Sequence, residues 1–254
     1  MPVGTGTYAS RSLVLAGGAG TLAAQAVREK LLNAASHLLE AAPGDLIAAD
    51  GVVSVAGTDK CITFREIARA VYSEMGRFPP DLREELAASK SYDPIFGTTT
   101  CATHIAAVEI DPQTYQVKID RFVVAEDCGR IVNPLIVDGQ VHGGVAQGIG
   151  AALYEEVIYD AEGQIHTASL VDYLVPTAVE IPPMKVVHLD STSPTTLGGF
   201  RGMGEGGTIG APAAIANAIA DALSPLGVEI NELPATPERL SRLIETARVR
   251  PVKS

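Results

Sequence analysis

Cysteine is scarce in this chain. Cys61, Cys101 and Cys128 are the only three, they lie far apart, and none belongs to a CxxC pair. Neither a zinc site nor an iron–sulfur cluster is built from such spacing within one chain. The three thiols read as free and buried, as in a reducing cytoplasm. Positive charge is also short, with 19 basic against 30 acidic residues and a net charge of −11. That balance argues against nucleic acid or an anionic membrane as partner. No stretch approaches 18 consecutive apolar residues, so no membrane-spanning helix is expected. The opening MPVGTGTYAS has neither the basic start nor the apolar run of a signal peptide, and a cytoplasmic location is expected.

What is present is a core's worth of apolar residues. With 254 residues and 46% hydrophobic content, the chain suits one large domain or two small ones. Residues 1–18 are small and polar and read as a loop. Residues 20–42 place Leu22, Ala26, Leu31, Ala35 and Leu38 near helical spacing, and Pro43-Gly44 closes the pattern. Residues 51–55 read as a short strand. Thr63 and Glu66 form a capping box for a helix over 63–74. Residues 76–101 read as irregular. Residues 103–111 and 115–127 alternate around Pro112-Gln113-Thr114, a hairpin signal. Residues 139–157 read as a helix crowded with glycine, residues 184–190 as a strand, and residues 211–223 and 236–248 as helices. Strands and helices mix without a strict βαβ rhythm, which points to an α+β fold.

Three segments have the composition of a binding site. GTGTYASRS at 4–12 combines glycines, the hydroxyls of Thr5, Thr7, Ser10 and Ser12, and the guanidinium fork of Arg11. Ahead of a helix, these suit an anion such as phosphate. In GQVHGGVAQGIG at 139–150, Gln147 sits among small residues, where its amide can donate and accept toward a flat heterocycle. His142 has no second ligand type at i+3 or i+4 and reads as structural. RGMGEGGTIGAP at 201–212 contains a GxGxxG pattern. However, no strand runs straight into its first glycine, as a dinucleotide fingerprint requires. Glu205 would also set a negative charge where a pyrophosphate should lie. A carboxylate between glycines at a helix start reads better as a catalytic acid or base, beside the plainer reading of a charge favoured by the helix dipole.

Taken in order, GTGTYASRS, AVEIDPQTYQVKIDRFVVAEDCGRIVNPLIVDGQVHGGVAQGIGAALYEE, VDYLVPTA and GFRGMGEGGTIGAPAAIANAIADAL resemble the molybdenum-binding large subunit of the xanthine dehydrogenase, aldehyde oxidase and carbon-monoxide-dehydrogenase-like hydroxylases. The resemblance implies that residues 1–254 are the C-terminal portion of the molybdenum-cofactor-binding domain, α+β in class. It implies a molybdenum pyranopterin, in bacteria usually the cytosine dinucleotide form, held without any side chain ligating the metal. By motif, Tyr8, Ala9, Ser10, Arg11 and Ser12 resemble the loop that holds the cofactor, and Gln147 resembles the glutamine that bonds the pterin. Gly204 lets the backbone approach, and Glu205 resembles the active-site base, with burial expected to raise its pKa toward operating pH. The implied reaction is hydroxylation of an aldehyde or N-heteroaromatic with water as oxygen source. The implied partners are a 2Fe–2S subunit, an FAD subunit and a chain carrying the N-terminal part of the molybdenum subunit. A large subunit is roughly three times this length. The alternative expectation is therefore a non-catalytic fragment or split structural subunit that completes a partner's cofactor site.

Overall fold

The computed structural model describes residues 6–94 and 99–249; Thr5 and part of the irregular stretch lie outside them. Two compact units make up the chain, one of residues 15–94 and one of residues 1–14 with 95–254. Both mix helices and strands, in agreement with the α+β expectation.

In the unit of residues 15–94, helix α1 (Gly18–Leu39) and helix α2 (Phe64–Ser73) accompany a three-stranded antiparallel sheet of β1 (Leu46–Ala49), β2 (Val52–Val55) and β3 (Cys61–Thr63). The capping box is formed: the Glu66 amide donates to the Thr63 hydroxyl at 3.2 Å, and the Thr63 amide donates to the Glu66 carboxylate at 2.9 Å. Leu31, Ala35, Val53, Ile67 and Phe78 are buried in a common core. Two expectations are corrected here. The stretch read as loop to residue 18 already turns in a π-helix at Leu13–Gly17. Gly51, read as the start of a strand, is instead in the turn between β1 and β2. Asp50 and Gly51 both have positive φ, at 48° and 80°, as a two-residue hairpin of this twist requires.

The other unit is built on β4 (Cys101–Ile110) and β5 (Val117–Asp127), with β6 (Met184–His188) parallel to β5 on its far side. Asp111 shapes the hairpin turn by accepting from the amides of Gln113 (2.7 Å) and Thr114 (3.0 Å). Helix α3 (Pro134–Leu153), the short α4 (Gly206–Ile209), α5 (Ala211–Leu223) and α6 (Pro237–Val249) follow. Phe122, Val145, Ile149, Ile215, Ile219 and Leu240 are fully buried and share one core. Helix α3 begins five residues before the expected Gly139, because Pro134 occupies its first turn and the Asn133 side chain accepts from the Ile136 amide. It ends at Leu153, so residues 154–157 are not part of it.

The glycines of α3 have a steric purpose. A Cβ on Gly144 would lie 2.8 Å from the Gly207 backbone, and one on Gly148 would lie 2.5 Å from the Ala211 methyl. The helix therefore approaches α4 and α5 at backbone distance. The stretch Gly206–Leu226 is long and apolar enough to cross a membrane by length and composition, which the count of consecutive apolar residues did not reveal. It is divided at Gly210 between α4 and α5, and Ile215, Ile219 and Leu223 are buried in the core.

The loop that follows β6 is tied to the end of β5. The Arg201 amide donates to the Cys128 carbonyl at 2.9 Å, and the Arg130 amide to the Gly199 carbonyl at 3.1 Å. Asp127, 6% exposed, accepts from the Gly129 amide at 2.9 Å. Burial pushes the Asp127 carboxyl up, but the Gly129 amide, Ser191 and Arg201 outweigh it and hold the group below the usual carboxylate range. Of the three thiols only Cys128 is buried; Cys61 and Cys101 are exposed, contrary to expectation, since each sits on an open strand face. Burial, with Glu126 and other carboxylates nearby, pushes the Cys128 thiol up to about 11.

Two outcomes test this packing. Gly144→Ala should destabilise the chain by roughly 1–3 kcal/mol through overpacking, whereas Gly139→Ala, at an exposed α3 position with open space around it, should stabilise it by about 0.5–1 kcal/mol. Urea unfolding of both variants measures the contrast, and equal effects would refute the close approach. Because the folded pKa of Asp127 is depressed, its stabilisation is present above the ordinary carboxylate value and is lost as pH falls through the folded one. Asp127→Asn should therefore cost roughly 1–3 kcal/mol at neutral pH, with the gap to wild type closing in strong acid when urea curves are compared across pH.

Candidate functional site

Ser10 and Glu205 are 195 positions apart in sequence and meet at hydrogen-bond distance. The Ser10 hydroxyl donates to Glu205 Oε2 at 2.8 Å and accepts from the Glu205 amide at 2.8 Å. One hydroxyl thus holds both the side chain and the backbone of the glutamate. Ser10 is placed for this by a backbone that is costly for a residue with a Cβ: Ala9 and Ser10 have φ of 51° and 54°. Two successive left-handed residues that are not glycine are the kind of local strain found where a site demands a geometry.

Glu205 caps α4 and is exposed, not buried as expected. The cause is the glycines on either side, which leave no side chains to cover it. Gly204 sits against Ser10: a Cβ there would lie 3.4 Å from the Ser10 hydroxyl and 3.8 Å from the Gln140 amide nitrogen. Gln140 Nε2 donates to the Gly204 carbonyl at 3.0 Å. Ser10, Gly204 and Glu205 are therefore brought together as one cluster.

The rest of the loop lies beside that cluster. Tyr8 and Arg11 stack, with the guanidinium carbon 3.7 Å from the ring centroid. The hydroxyls of Thr7 and Ser12 are 2.7 Å apart. Gln147 is exposed on α3 two turns beyond Gln140 and so lies along the same side of the helix. Among the described residues it makes no hydrogen bond to the cluster. The glutamine that reaches the glutamate loop is Gln140, which sequence reasoning passed over. Its signal was the seven-residue interval to Gln147, which puts both amides on one helical stripe.

A groove of about 360 Å³ opens beside the cluster. Thr7, Ser10, Ser12, Gly204, Arg130 and Arg201 are among its lining residues. Hydroxyls and two guanidinium groups around an otherwise apolar trough suit a flat ligand that carries a phosphate. Among the described residues no group of three or more His, Cys, Asp or Glu could hold a metal ion.

A second polar group lies under the glutamate loop and was not anticipated. His188, at the end of β6, lies 3.0 Å by Nδ1 from Glu126 Oε1 and 2.7 Å by Nε2 from Asp138 Oδ1. Glu126 is 1% exposed, and burial pushes its carboxyl up against the opposing pull of His188. Nearby, the His104 ring meets Phe122 edge-on at 5.8 Å, and burial pushes its pKa down.

Comparison with known proteins bears on this arrangement. The family model described as molybdopterin cofactor-binding domain matches residues 1–182. The nicotine 6-hydroxylase large subunit of Paenarthrobacter nicotinovorans is 42% identical over 94% of this chain and 29% of its own length. The carbon monoxide dehydrogenase large chain of Hydrogenophaga pseudoflava is 35% identical over 94% of this chain and 30% of its own. The crystal structure of quinoline 2-oxidoreductase from Pseudomonas putida 86 superposes with a TM-score of 0.89 and 45% identity, over 98% of this chain and 31% of that one. The chain thus spans between 29% and 31% of the length of these relatives. The chain belongs to the molybdenum hydroxylase family and carries its molybdopterin cofactor-binding domain.

Proposed function

We propose that residues 1–254 are the C-terminal portion of the molybdenum-cofactor-binding domain of an oxidoreductase that hydroxylates an aldehyde or N-heteroaromatic compound, with water as oxygen source and Glu205 as general base. The observation that carries this reading is the double hydrogen bond from Ser10. It fixes the glutamate against the loop of residues 8–12 while the residue stays exposed. Ser10 engages Oε2, so the task of accepting a proton falls to Oε1. Preorganisation of this kind is what a base needs, because proton transfer requires hydrogen-bond reach to the reacting group.

The proposed cofactor is a molybdenum pyranopterin in the cytosine dinucleotide form. When bound, it supplies a two-electron acceptor for the substrate. Thr7, Arg11 and Ser12, in the loop of residues 7–12, would hold its phosphate by charge-assisted bonds, worth roughly 1.5–3 kcal/mol each. Gln147 would bond the pterin, and Gly204 admits the close approach of the ring system. Tyr8 buttresses Arg11 by stacking, and Ala9 supplies the strained turn. Electrons would leave through partner subunits carrying 2Fe–2S clusters and FAD. The remaining part of the molybdenum subunit, whose counterpart makes up about 70% of the relatives' length by difference from the shared 29–31%, would complete the substrate pocket. The assignment is to the assembled enzyme in the cytoplasm.

In the assembled enzyme, Glu205→Gln keeps shape and removes the proton acceptor. Turnover per bound molybdenum should fall by about 10²–10⁴ at unchanged metal content, assayed on a panel of aldehydes and N-heteroaromatics. Near-normal turnover at full loading removes Glu205 from the mechanism. Arg11→Ala should instead lower molybdenum occupancy, read by metal analysis, and leave activity per bound molybdenum close to wild type. Full occupancy with altered substrate preference would count against the anchoring role.

A further inference from the structure

Glu126 is a fully buried carboxylate with only one of its oxygens engaged. Oε1 faces His188, while Oε2 has no hydrogen-bond partner among the described residues. An unpaired buried carboxylate oxygen is expensive and calls for an explanation. Its position supplies one. The space beneath Gly206, next in chain to Glu205, is bounded by Glu126 Oε2, 3.6 Å from where a Gly206 Cβ would stand, and by the Met203 methyl at 3.3 Å. Glu126 therefore forms the floor of the turn that presents the glutamate.

The floor is tied laterally. His188 connects Glu126 on β5 to Asp138 on α3, and Gln140, two residues beyond Asp138, grips the Gly204 carbonyl. The Leu189 amide closes the group by donating to the Glu126 carbonyl at 2.7 Å. Two routes thus lead from this trio to the turn of residues 203–206: upward contact from Glu126, and the first half of α3 through Gln140. Ser10 holds the same turn through Glu205.

We infer that Glu126, His188 and Asp138 are positioning residues for Glu205, setting the height and orientation of the turn that carries it. The inference rests on the reading of Glu205 as the base. The trio is inferred to act on the base through the turn.

The test uses the assembled, cofactor-loaded enzyme and three variants: Glu126→Ala, Glu126→Gln and Asp138→Ala. Displacing a base by about an ångström costs up to roughly 10²-fold in rate, so Glu126→Ala should lower kcat per molybdenum about tenfold or more with KM nearly unchanged. Amide hydrogen exchange in residues 203–208 should quicken about tenfold, while amides of the β4–β5 hairpin stay at wild-type rates. Glu126→Gln, with the same shape, should restore most of both. Asp138→Ala removes a half-exposed carboxylate and should shift both readouts in the same direction by a smaller factor. It decides the matter if Glu126→Ala does not assemble. Wild-type exchange and kcat in Asp138→Ala, or a glutamine variant as impaired as alanine, would overturn the inference. So would exchange that quickens across the whole β-sheet, the mark of a merely structural role. Full turnover in Glu205→Gln would instead sink the base reading and leave the exchange result standing.

Discussion

Helix α3 and the turn of residues 206–208 touch through bare backbone. Where Gly144 faces Gly207, a Cβ on either would lie under 3 Å from backbone atoms of the other segment, a separation that real side chains do not tolerate. Much of the site follows from this approach. It carries Gln140 within reach of the Gly204 carbonyl, buries Gly206 and Gly207, and leaves Glu205, just before them, exposed. The N-terminal loop can then reach across with Ser10. Glycines inside a helix cost about 1 kcal/mol each in propensity, and here they are retained because the geometry of the glutamate turn depends on their missing side chains.

Neighbouring carboxylates on β5 show how orientation alone separates chemical character. Glu126 and Asp127 are both buried and are adjacent in a strand, so their side chains point to opposite faces. Asp127 turns toward backbone amides and Arg201, and its charged form is favoured. Glu126 turns toward the underside of the glutamate loop, where burial outweighs its histidine partner and the carboxyl is pushed up. One residue ties a loop through its charge, while the other fills space beneath a turn.

Periodicity disclosed the helices and the long hairpin, because each buries a stripe or face large enough to repeat several times. Thr63 and Glu66 disclosed a helix start by local hydrogen bonding alone. Short elements escaped. Leu46–Ala49 is too brief for alternation to register, and Gly206–Ile209 hides inside a glycine-rich stretch that composition marks as loop. Asn133-Pro134 is a helix-start signal that was outweighed by the glycines following it. The site was legible as segments, since hydroxyls, arginine and a glycine-flanked glutamate declare their chemistry. Its internal wiring was not. The pairing of Ser10 with Glu205, Gln140 with Gly204 and Glu126 with His188 spans 62 to 195 positions, and no local pattern encodes a contact at that range.

The distribution of thiols has a practical consequence. Cys128 is buried, with a thiol pushed up to about 11, so near neutral pH it is almost wholly protonated and a poor nucleophile. Cys61 and Cys101 are exposed, one in each compact unit of the chain. The native sequence therefore offers two natural attachment points for maleimide dyes or spin labels, one per unit.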